Sequence, residues 1–228
     1  MDLQATNTEY MRACGLFGSG KTLAWDYLTE LDWVWEALPL IASYVGKLAV
    51  KLDASDYEKL PNNVWIHKSA KIAPSAFIGS NVIIGAETEV RHCAFIRNDV
   101  IVGSSAVIGN STELKNVILF DEVQVPHYNY VGDSILGYKS HFGAGVITSN
   151  VKSDGSPVSV SFGEKRIETG LKKFGAILGD NVEIGCNAVL NPGTIIGANA
   201  TVYPLSMVRG FIPANSIYKK QGEIAEKR

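Results

Sequence analysis

The sequence has few cysteines, little net charge and no long apolar run, and each shortage excludes a class of protein. Its three cysteines, Cys14, Cys93 and Cys186, lie far apart with no CxxC pair, which argues against a disulfide framework and a cysteine-based metal site. The formal net charge of -2 at pH 7 gives no broad attraction to nucleic acid or to anionic membranes. We therefore expect a protein of the reducing cytosol with no nucleic-acid partner.

The most apolar stretch of the chain is too short for a membrane span. Residues 38–50 contain Lys47, whereas a bilayer requires roughly 20 consecutive apolar residues. The first thirty residues hold no continuous apolar segment of the kind found in secretory signals. The sequence predicts a cytoplasmic protein that does not enter the membrane.

Apolar residues recur at every sixth position through most of the chain. The series covers positions 66, 72, 78, 84, 90, 96, 102, 108, 114, 120, 126, then 136, 142, 148, and then 178, 184, 190, 196, 202 and 208, and only Pro126 and Thr148 break it. Glycine follows at positions 79, 85, 103, 109, 137, 143, 179, 185 and 197. A period of six fits neither an amphipathic helix nor a long alternating strand.

This period predicts a solenoid in which three hexapeptides close one triangular coil. The apolar residue points inward, and glycine is expected to supply the backbone freedom that tight corners require. Nearly seven coils, about 4.8 Å apart, would give a prism roughly 30 Å long. The predicted fold class is therefore an all-β parallel β-helix.

Three segments follow from this pattern. The β-helix is assigned to residues 61–210, with an inserted loop at 150–174. Residues 1–60 form an N-terminal helical segment, because residues 23–60 carry apolar side chains at three- and four-residue spacing, including Trp25, Trp33 and Trp35. We expect this segment to cap the first coil. Residues 211–228 are expected to be a charged, solvated tail or a short helix.

A phosphate-binding-loop pattern occurs near the N-terminus. Gly15, Gly20, Lys21 and Thr22 match G-x-x-x-x-G-K-T. The preceding residues, NTEYMRAC, do not form the buried apolar strand that such a loop follows. The context therefore argues against nucleotide binding there.

Four runs along the solenoid, ELKN, PHYNYVGDSILG, GAGVITSN and KFGAILGDNVEIG, carry a more specific resemblance. Residues 64 to about 205 resemble the hexapeptide-repeat acetyltransferase domain of bifunctional glucosamine-1-phosphate N-acetyltransferase/UDP-GlcNAc pyrophosphorylase enzymes, and of archaeal sugar-1-phosphate nucleotidylyltransferases. The resemblance implies a left-handed coil, a homotrimer, and acetyl-CoA-dependent N-acetylation of glucosamine-1-phosphate or galactosamine-1-phosphate in UDP-GlcNAc and cell-envelope biosynthesis. It implies no metal. The nucleotidyltransferase domain is missing, so no pyrophosphorylase activity is expected.

The resemblance also implies roles for individual residues. It places the general base on His127, and imidazole suits this role near neutral pH. It places the oxyanion donor on the backbone N–H of Ala144. Arg97 and Lys115, one coil apart, match the phosphate-binding residues and should present two cations to one anion. Tyr130 and Asn150 match sugar-contacting residues.

Other expected contacts are less closely matched. His141 stands where the bifunctional enzymes usually carry a sugar-contacting Asn, which leaves the identity of the acceptor open. The expected coenzyme contacts are Ala144, Cys186, Lys152 and Lys172. Cys93 and Cys186 are otherwise interpreted as packing residues, because no histidine partners them in the pattern.

Three alternatives remain beside this interpretation. A γ-class carbonic anhydrase shares the fold, but the four histidines His67, His92, His127 and His141 show no H-x4-H pair, so no metal is expected. A non-catalytic scaffold or regulatory subunit stays open. So does an acyltransferase for another amine, such as a nucleotide-linked amino sugar.

Overall fold

Three columns of parallel strands form the body of the protein. The computed structural model describes residues 8–18 and 20–227. Residues 1–7 of the N-terminal segment, Ser19 of the phosphate-binding-loop pattern and Arg228 of the C-terminal segment lie outside the described residues. The predicted parallel β-helix of hexapeptide repeats is confirmed. Within the described residues, no helix is both long and apolar enough to cross a membrane.

The three faces of the β-helix differ in what lies on their outer sides, and are called the covered, open and polar faces. The covered face contains Val64–His67, Ala176–Leu178, Thr194–Ile196 and Phe211–Ile212, and the open face contains Ile147–Thr148, Val189–Leu190 and Met207–Val208. Four long strands bend from the open face onto the covered face: Phe77–Ile84, Phe95–Val102, Glu113–Leu119 and Tyr130–Leu136. The polar face contains Lys71–Ile72, Glu89–Val90, Val107–Asn110, Gln124–His127, His141–Phe142, Glu183–Ile184, Thr201–Val202 and Ser216–Lys220.

The inward column differs from the strict six-step series at two positions. Strand register pairs Val102 with Leu119 and Ile108 with Val125, so Leu119 and Val125 take the inward positions that the series gave to Phe120 and Pro126. The cause is a corner shortened by one residue at Asn116. A second shortened corner at Asp133 explains the later shift.

The repeated glycines do not supply the backbone freedom at corners that was predicted for them. None of the glycines that follow the inward residues has a positive φ. They are required because adjacent coils approach closely: a Cβ on Gly79 would lie 2.0 Å from the carbonyl oxygen of Arg97, and one on Gly109 would lie 1.5 Å from that of Pro126. The left-handed corner positions are instead taken largely by Asn and Asp, which tolerate this conformation best among the L-residues.

The N-terminal segment covers one side of the prism instead of capping its end. Its α-helices are Ala13–Leu16, Trp25–Thr29 and Ile41–Ala49, and its 3-10 helices are Thr8–Met11 and Val34–Leu40. Helix Ile41–Ala49 packs on the strands of the covered face. A stripe of outward isoleucines on that face is fully buried: Ile83, Ile101, Ile118, Ile135, Ile177 and Ile195. Tyr57–Leu60 is a strand antiparallel to Val64–His67, not helix.

The phosphate-binding-loop pattern is held on the β-helix by hydrogen bonds to one carboxylate. Gly18 N–H donates to Asp180 Oδ2 at 3.0 Å, and Asp180 Oδ1 accepts from Tyr138 N–H at 2.9 Å. The residues before the motif form short helices and not a buried strand. Among the described residues around this motif there is therefore no strand–loop–helix unit.

The insertion and the C-terminus both contain hairpins. Within residues 150–174, strands Ser159–Phe162 and Lys165–Glu168 pair antiparallel, and Phe162 packs on Phe211 with ring centroids 4.8 Å apart. Residues 211–227 differ from the expected tail or short helix: they continue the β-helix and end in a hairpin between Ser216–Lys220 and Glu223–Glu226. The insertion is thus a hairpin packed on the last coils.

Candidate functional site

His127 lies at the corner between the polar and open faces. The hydrogen bond from Gly145 N–H to the His127 carbonyl, at 3.0 Å, and that from Asn187 N–H to the Ala144 carbonyl, at 2.8 Å, stack His127, Ala144 and Cys186 in one column. Backbone His127 N–H is fixed by Asn129 Oδ1 at 3.1 Å. The His127 side chain is exposed, and among the described residues its ring nitrogens make no hydrogen bond. Both ring nitrogens are therefore available to a ligand.

Ala144 lies one coil from His127, and the backbones of adjacent coils are about 4.8 Å apart. Its carbonyl is used by Asn187, but within the described part of the chain its N–H has no acceptor. Ala144 is half-buried, and a fixed N–H without an acceptor in the protein is the kind of donor that can stabilise a developing oxyanion. The structure thus brings the predicted base and the predicted donor residue together.

Arg97 and Lys115 are neighbours one coil apart, as their spacing predicts. Each faces a carboxylate: Arg97 Nη1 lies 3.0 Å from Glu113 Oε1, and Lys115 Nζ lies 2.9 Å from Asp133 Oδ1. The first pair is exposed, with 43% and 32% of the two side chains accessible. The second is largely buried, at 17% and 4%. An exposed pair contributes little to stability, so Arg97 can exchange its partner for an anion.

Tyr130 and Asn150 meet beside these cations. Asn150 Nδ2 donates to the Tyr130 hydroxyl oxygen at 3.2 Å and also to Asp133 Oδ2. Burial raises the pKa of the Tyr130 hydroxyl, and the carboxylates of Asp133 and Glu113 raise it further. Tyr130 is therefore a neutral phenol whose proton remains available for a ligand oxygen, because Asn150 supplies the bond that it accepts.

His141 does not join this group. It lies on the polar face, where its Nδ1 is 2.9 Å from Glu183 Oε2 of the next coil. Among the described residues, the partner of its ring is Glu183 and no hydrogen bond joins it to Tyr130. No group of three or more His, Cys, Asp or Glu side chains that could hold a metal occurs in residues 8–18 and 20–227.

The expected coenzyme contacts are divided by the structure. Cys186 lies one coil beyond Ala144 and is exposed, as is Cys93, so the interpretation of both as packing residues is wrong: each occupies a corner, where the side chain points to solvent. Lys152 lines a polar cavity of about 420 Å³ between the inserted hairpin and the last coils, whereas Lys172 is exposed and does not line it.

Several residues of the site were not singled out from the sequence. Arg166 and Arg209 line the same cavity as Lys152, and Asp133 receives side-chain hydrogen bonds from Lys115, Asn116 and Asn150. Asp133 ends the run PHYNYVGD, so the motif contained it. Arg166 could not be placed, because its position depends on how the insertion folds.

Two protein-family models match successive parts of the β-helix. The family described as the GMPPB C-terminal domain matches residues 87–167, and that described as bacterial transferase hexapeptide (six repeats) matches residues 175–210. A putative acetyltransferase of Bacillus cereus with a solved structure is similar over 73% of this chain and 78% of its own, with 16% identity and a TM-score of 0.40.

Two curated relatives cover most of the chain. The "Bifunctional protein GlmU" of Methanococcus vannielii is 34% identical over 160 residues, which is 70% of this chain and 34% of that protein. The "Uncharacterized acetyltransferase YaiX" of Escherichia coli is 30% identical over 208 residues, 82% of this chain and 87% of that protein. The chain thus spans about a third of the first relative and most of the second.

Proposed function

The chain belongs to the hexapeptide-repeat acetyltransferases, and from that membership we propose that it transfers the acetyl group of acetyl-CoA to the amine of an amino-sugar 1-phosphate. The observation that carries the proposal is the corner column in which the exposed His127 imidazole and the unpaired Ala144 N–H lie on consecutive coils. Arg97 and Tyr130 lie on the adjoining open face.

The proposed reaction is a direct transfer. The sugar amine attacks the thioester carbonyl carbon, and His127 accepts the proton that the nitrogen loses. The Ala144 N–H donates to the oxyanion of the tetrahedral intermediate. When the carbon–sulfur bond breaks, the proton held by His127 passes to the departing thiolate. No covalent enzyme intermediate is required.

The open face supplies the groups for a phosphorylated acceptor. Arg97 presents a planar guanidinium suited to phosphate oxygens, and Lys115 keeps N–H donors beyond the one given to Asp133. Tyr130 and Asn150 provide neutral hydrogen-bonding groups for sugar hydroxyls. Relatives whose printed names include GlmU and a sugar-1-phosphate nucleotidylyltransferase/acetyltransferase support an acceptor of this class. His141 would contact the acceptor only as a residue of a neighbouring protomer.

The cavity under the inserted hairpin is proposed to hold the phosphates of acetyl-CoA. Lys152, Arg166 and Arg209 bring three cations to its lining, in which Asp154 is the one carboxylate. Glu168 pairs with Arg166 at 3.0 Å but does not line the cavity. Arg209→Ala should raise KM for acetyl-CoA severalfold and leave KM unchanged for acetyl-pantetheine, which lacks the nucleotide phosphates. Lys165→Ala, on the same hairpin but outside the cavity, should change neither. An equal rise in KM for both thioesters would contradict this placement of the phosphates. Alanine variants of Cys186 and Lys172 would then be compared with the same two thioesters.

The open face is proposed to be the contact with other copies of the chain in a homotrimer. Its outer positions include Phe77 and Met207, which are 59% and 55% exposed, and Leu205 at the adjoining corner is 80% exposed. Large exposed apolar surfaces mark interaction sites. Light scattering should give roughly three times the 24.6 kDa protomer mass, and Leu205→Asp should lower it. A monomeric wild-type protein would contradict this assembly.

The first experiment is a thiol-release assay. Acetyl-CoA would be offered with glucosamine-1-phosphate, galactosamine-1-phosphate or a nucleotide-linked amino sugar, each separately. Turnover with a sugar 1-phosphate supports the proposal, and the better epimer names the acceptor. Turnover with the nucleotide-linked amino sugar alone would contradict the proposal. So would the absence of turnover with all three amines.

A further inference from the structure

We propose that Asp133 is the positioning residue of the acceptor site, holding Lys115 with one carboxylate oxygen and Asn150 with the other. The inference rests on the proposed function for its kinetic consequence, but its geometry stands on the contacts alone. Asp133 is 3% exposed, so its carboxylate acts on a bound acceptor through the side chains that it holds.

Each oxygen of Asp133 has a separate task. Oδ1 accepts from Lys115 Nζ at 2.9 Å and from Asn116 Nδ2 at 2.9 Å, while Oδ2 accepts from Asn150 Nδ2. The Asp133 backbone is fixed as well, because its carbonyl accepts from Gly175 N–H at 2.8 Å. The carboxylate therefore sets the directions of a cation and an amide on two sides of one corner.

The amide direction decides what Tyr130 can do. A carboxylate accepts hydrogen bonds only, so Asn150 must turn its NH2 group toward Asp133. The same NH2 group then donates to the Tyr130 hydroxyl oxygen at 3.2 Å. Tyr130 is left as a donor toward the open face. If Asn150 turned its carbonyl this way, the Tyr130 proton would be used internally and lost to the acceptor.

The corner is tied to the N-terminal segment through Asn116. Asn116 Nδ2 donates to the carbonyl oxygen of Leu38 at 3.1 Å as well as to Asp133. Leu38 lies in the 3-10 helix that covers this part of the prism. The covering segment thus contributes to holding the Asp133 carboxylate, and removing the Asn116 amide should loosen the same group.

Asp133→Asn tests the proposal with a matched control. Asn tolerates the left-handed conformation of this position, φ 47°, but its NH2 would oppose that of Asn150. We expect KM for the amino-sugar 1-phosphate to rise about tenfold or more, as for loss of a charged hydrogen bond, with KM for acetyl-CoA unchanged. Asp99→Asn, at the same corner one coil before Asn116 and bonded to Asn81 and Asn98, should leave both KM values unchanged.

A double variant separates positioning from stability. Asp133→Asn with Asn150→Asp restores one carboxylate and one amide, and so should restore the melting temperature. It makes Tyr130 donate to the new carboxylate, so the acceptor KM should stay raised. Recovery of both the melting temperature and the acceptor KM would show that Asp133 has a structural role only.

A labelling measurement makes the inference independent of turnover. Lys115 should react severalfold faster with trace acetic anhydride in Asp133→Asn than in the wild type, with Lys139 as the internal reference and no change in Asp99→Asn. A wild-type protein without turnover overturns the proposed function alone. Unchanged Lys115 labelling in folded Asp133→Asn overturns the positioning role of Asp133, whichever reaction the protein performs.

Discussion

The hydroxyl oxygen of Tyr130 lies 2.5 Å from the point that a β-carbon on Gly132 would occupy. Because glycine has no β-carbon, position 132 leaves room for the Tyr130 hydroxyl, which accepts from Asn150 Nδ2. The contact involves the end of a side chain and not the backbone of a neighbouring coil, so Tyr130 can move away at little cost.

Gly132→Ala should displace Tyr130 from Asn150 and weaken acceptor binding. We expect an increase of about tenfold in the acceptor KM, the equivalent of one lost hydrogen bond, with a nearly unchanged melting temperature. Kinetics at saturating acetyl-CoA would measure it. In the Tyr130→Phe background the same glycine substitution should have much less effect, and a full effect there would show that Tyr130 is not the group being moved.

Gly85→Ala should instead destabilise the fold. A Cβ there would lie 2.6 Å from the carbonyl carbon of Gly103, which belongs to the backbone of the next coil. Overpacking of this kind costs roughly 1–3 kcal/mol of unfolding free energy, measurable by urea denaturation. Gly46→Ala is the control: it is exposed in helix Ile41–Ala49 with nothing within 4 Å, and should stabilise by up to about 1 kcal/mol. Equal effects would contradict the close approach of coils.

Asp121→Asn should stabilise the protein more at neutral than at acidic pH. Burial raises the pKa of the half-buried Asp121 carboxyl, despite the hydrogen bond from Ser104 N–H. A raised pKa means that the native state binds this proton more tightly. The protonated Asp121 carboxyl therefore contributes to the stability of the wild type below the pKa of an unfolded Asp, about 3.9. This contribution to stability is lost as the pH rises through the pKa of Asp121 in the folded protein.

Urea unfolding of wild type and Asp121→Asn at about pH 3.5 and about pH 6.5 would show this on either side of an ordinary carboxyl pKa. The variant should gain relative stability at the higher pH. Asp53→Asn should show the opposite trend, because hydrogen bonds from Ser55 lower the pKa of that carboxyl. A pH-independent difference for Asp121→Asn would contradict the burial effect.

Much of the fold was predictable from the inward apolar series, because a period of six leaves few alternatives. The sequence also contains a signal for the covered face. The outward residue just before the inward one is isoleucine at positions 83, 101, 118, 135, 177 and 195, and a row of outward isoleucines indicates that another segment covers that face. The shortened corners at Asn116 and Asp133 could not be placed, because deleting one residue changes the register without leaving a distinct residue type.

The candidate site was predictable where it depends on coil spacing alone. The stacking of Arg97 and Lys115 is of this kind: each directly follows one member of the register pair Ile96 and Leu114. The carboxylate partners of these cations, Glu113 and Asp133, depend on side-chain directions that spacing does not determine. Arg166 and Arg209 line the same cavity because the insertion folds back as a hairpin against the last coils.

The most direct test of the account compares His127→Ala with His92→Ala. His92 occupies the same corner column two coils earlier, as the hydrogen bonds from Asn110 Nδ2 to the His92 carbonyl and from Tyr128 N–H to the Asn110 carbonyl show. With the acceptor that the wild type prefers, His127→Ala should lower kcat/KM by about 10²–10⁴-fold at an unchanged melting temperature, and His92→Ala should retain wild-type turnover. Full activity in folded His127→Ala, or equal losses in both variants, would contradict His127 as the base.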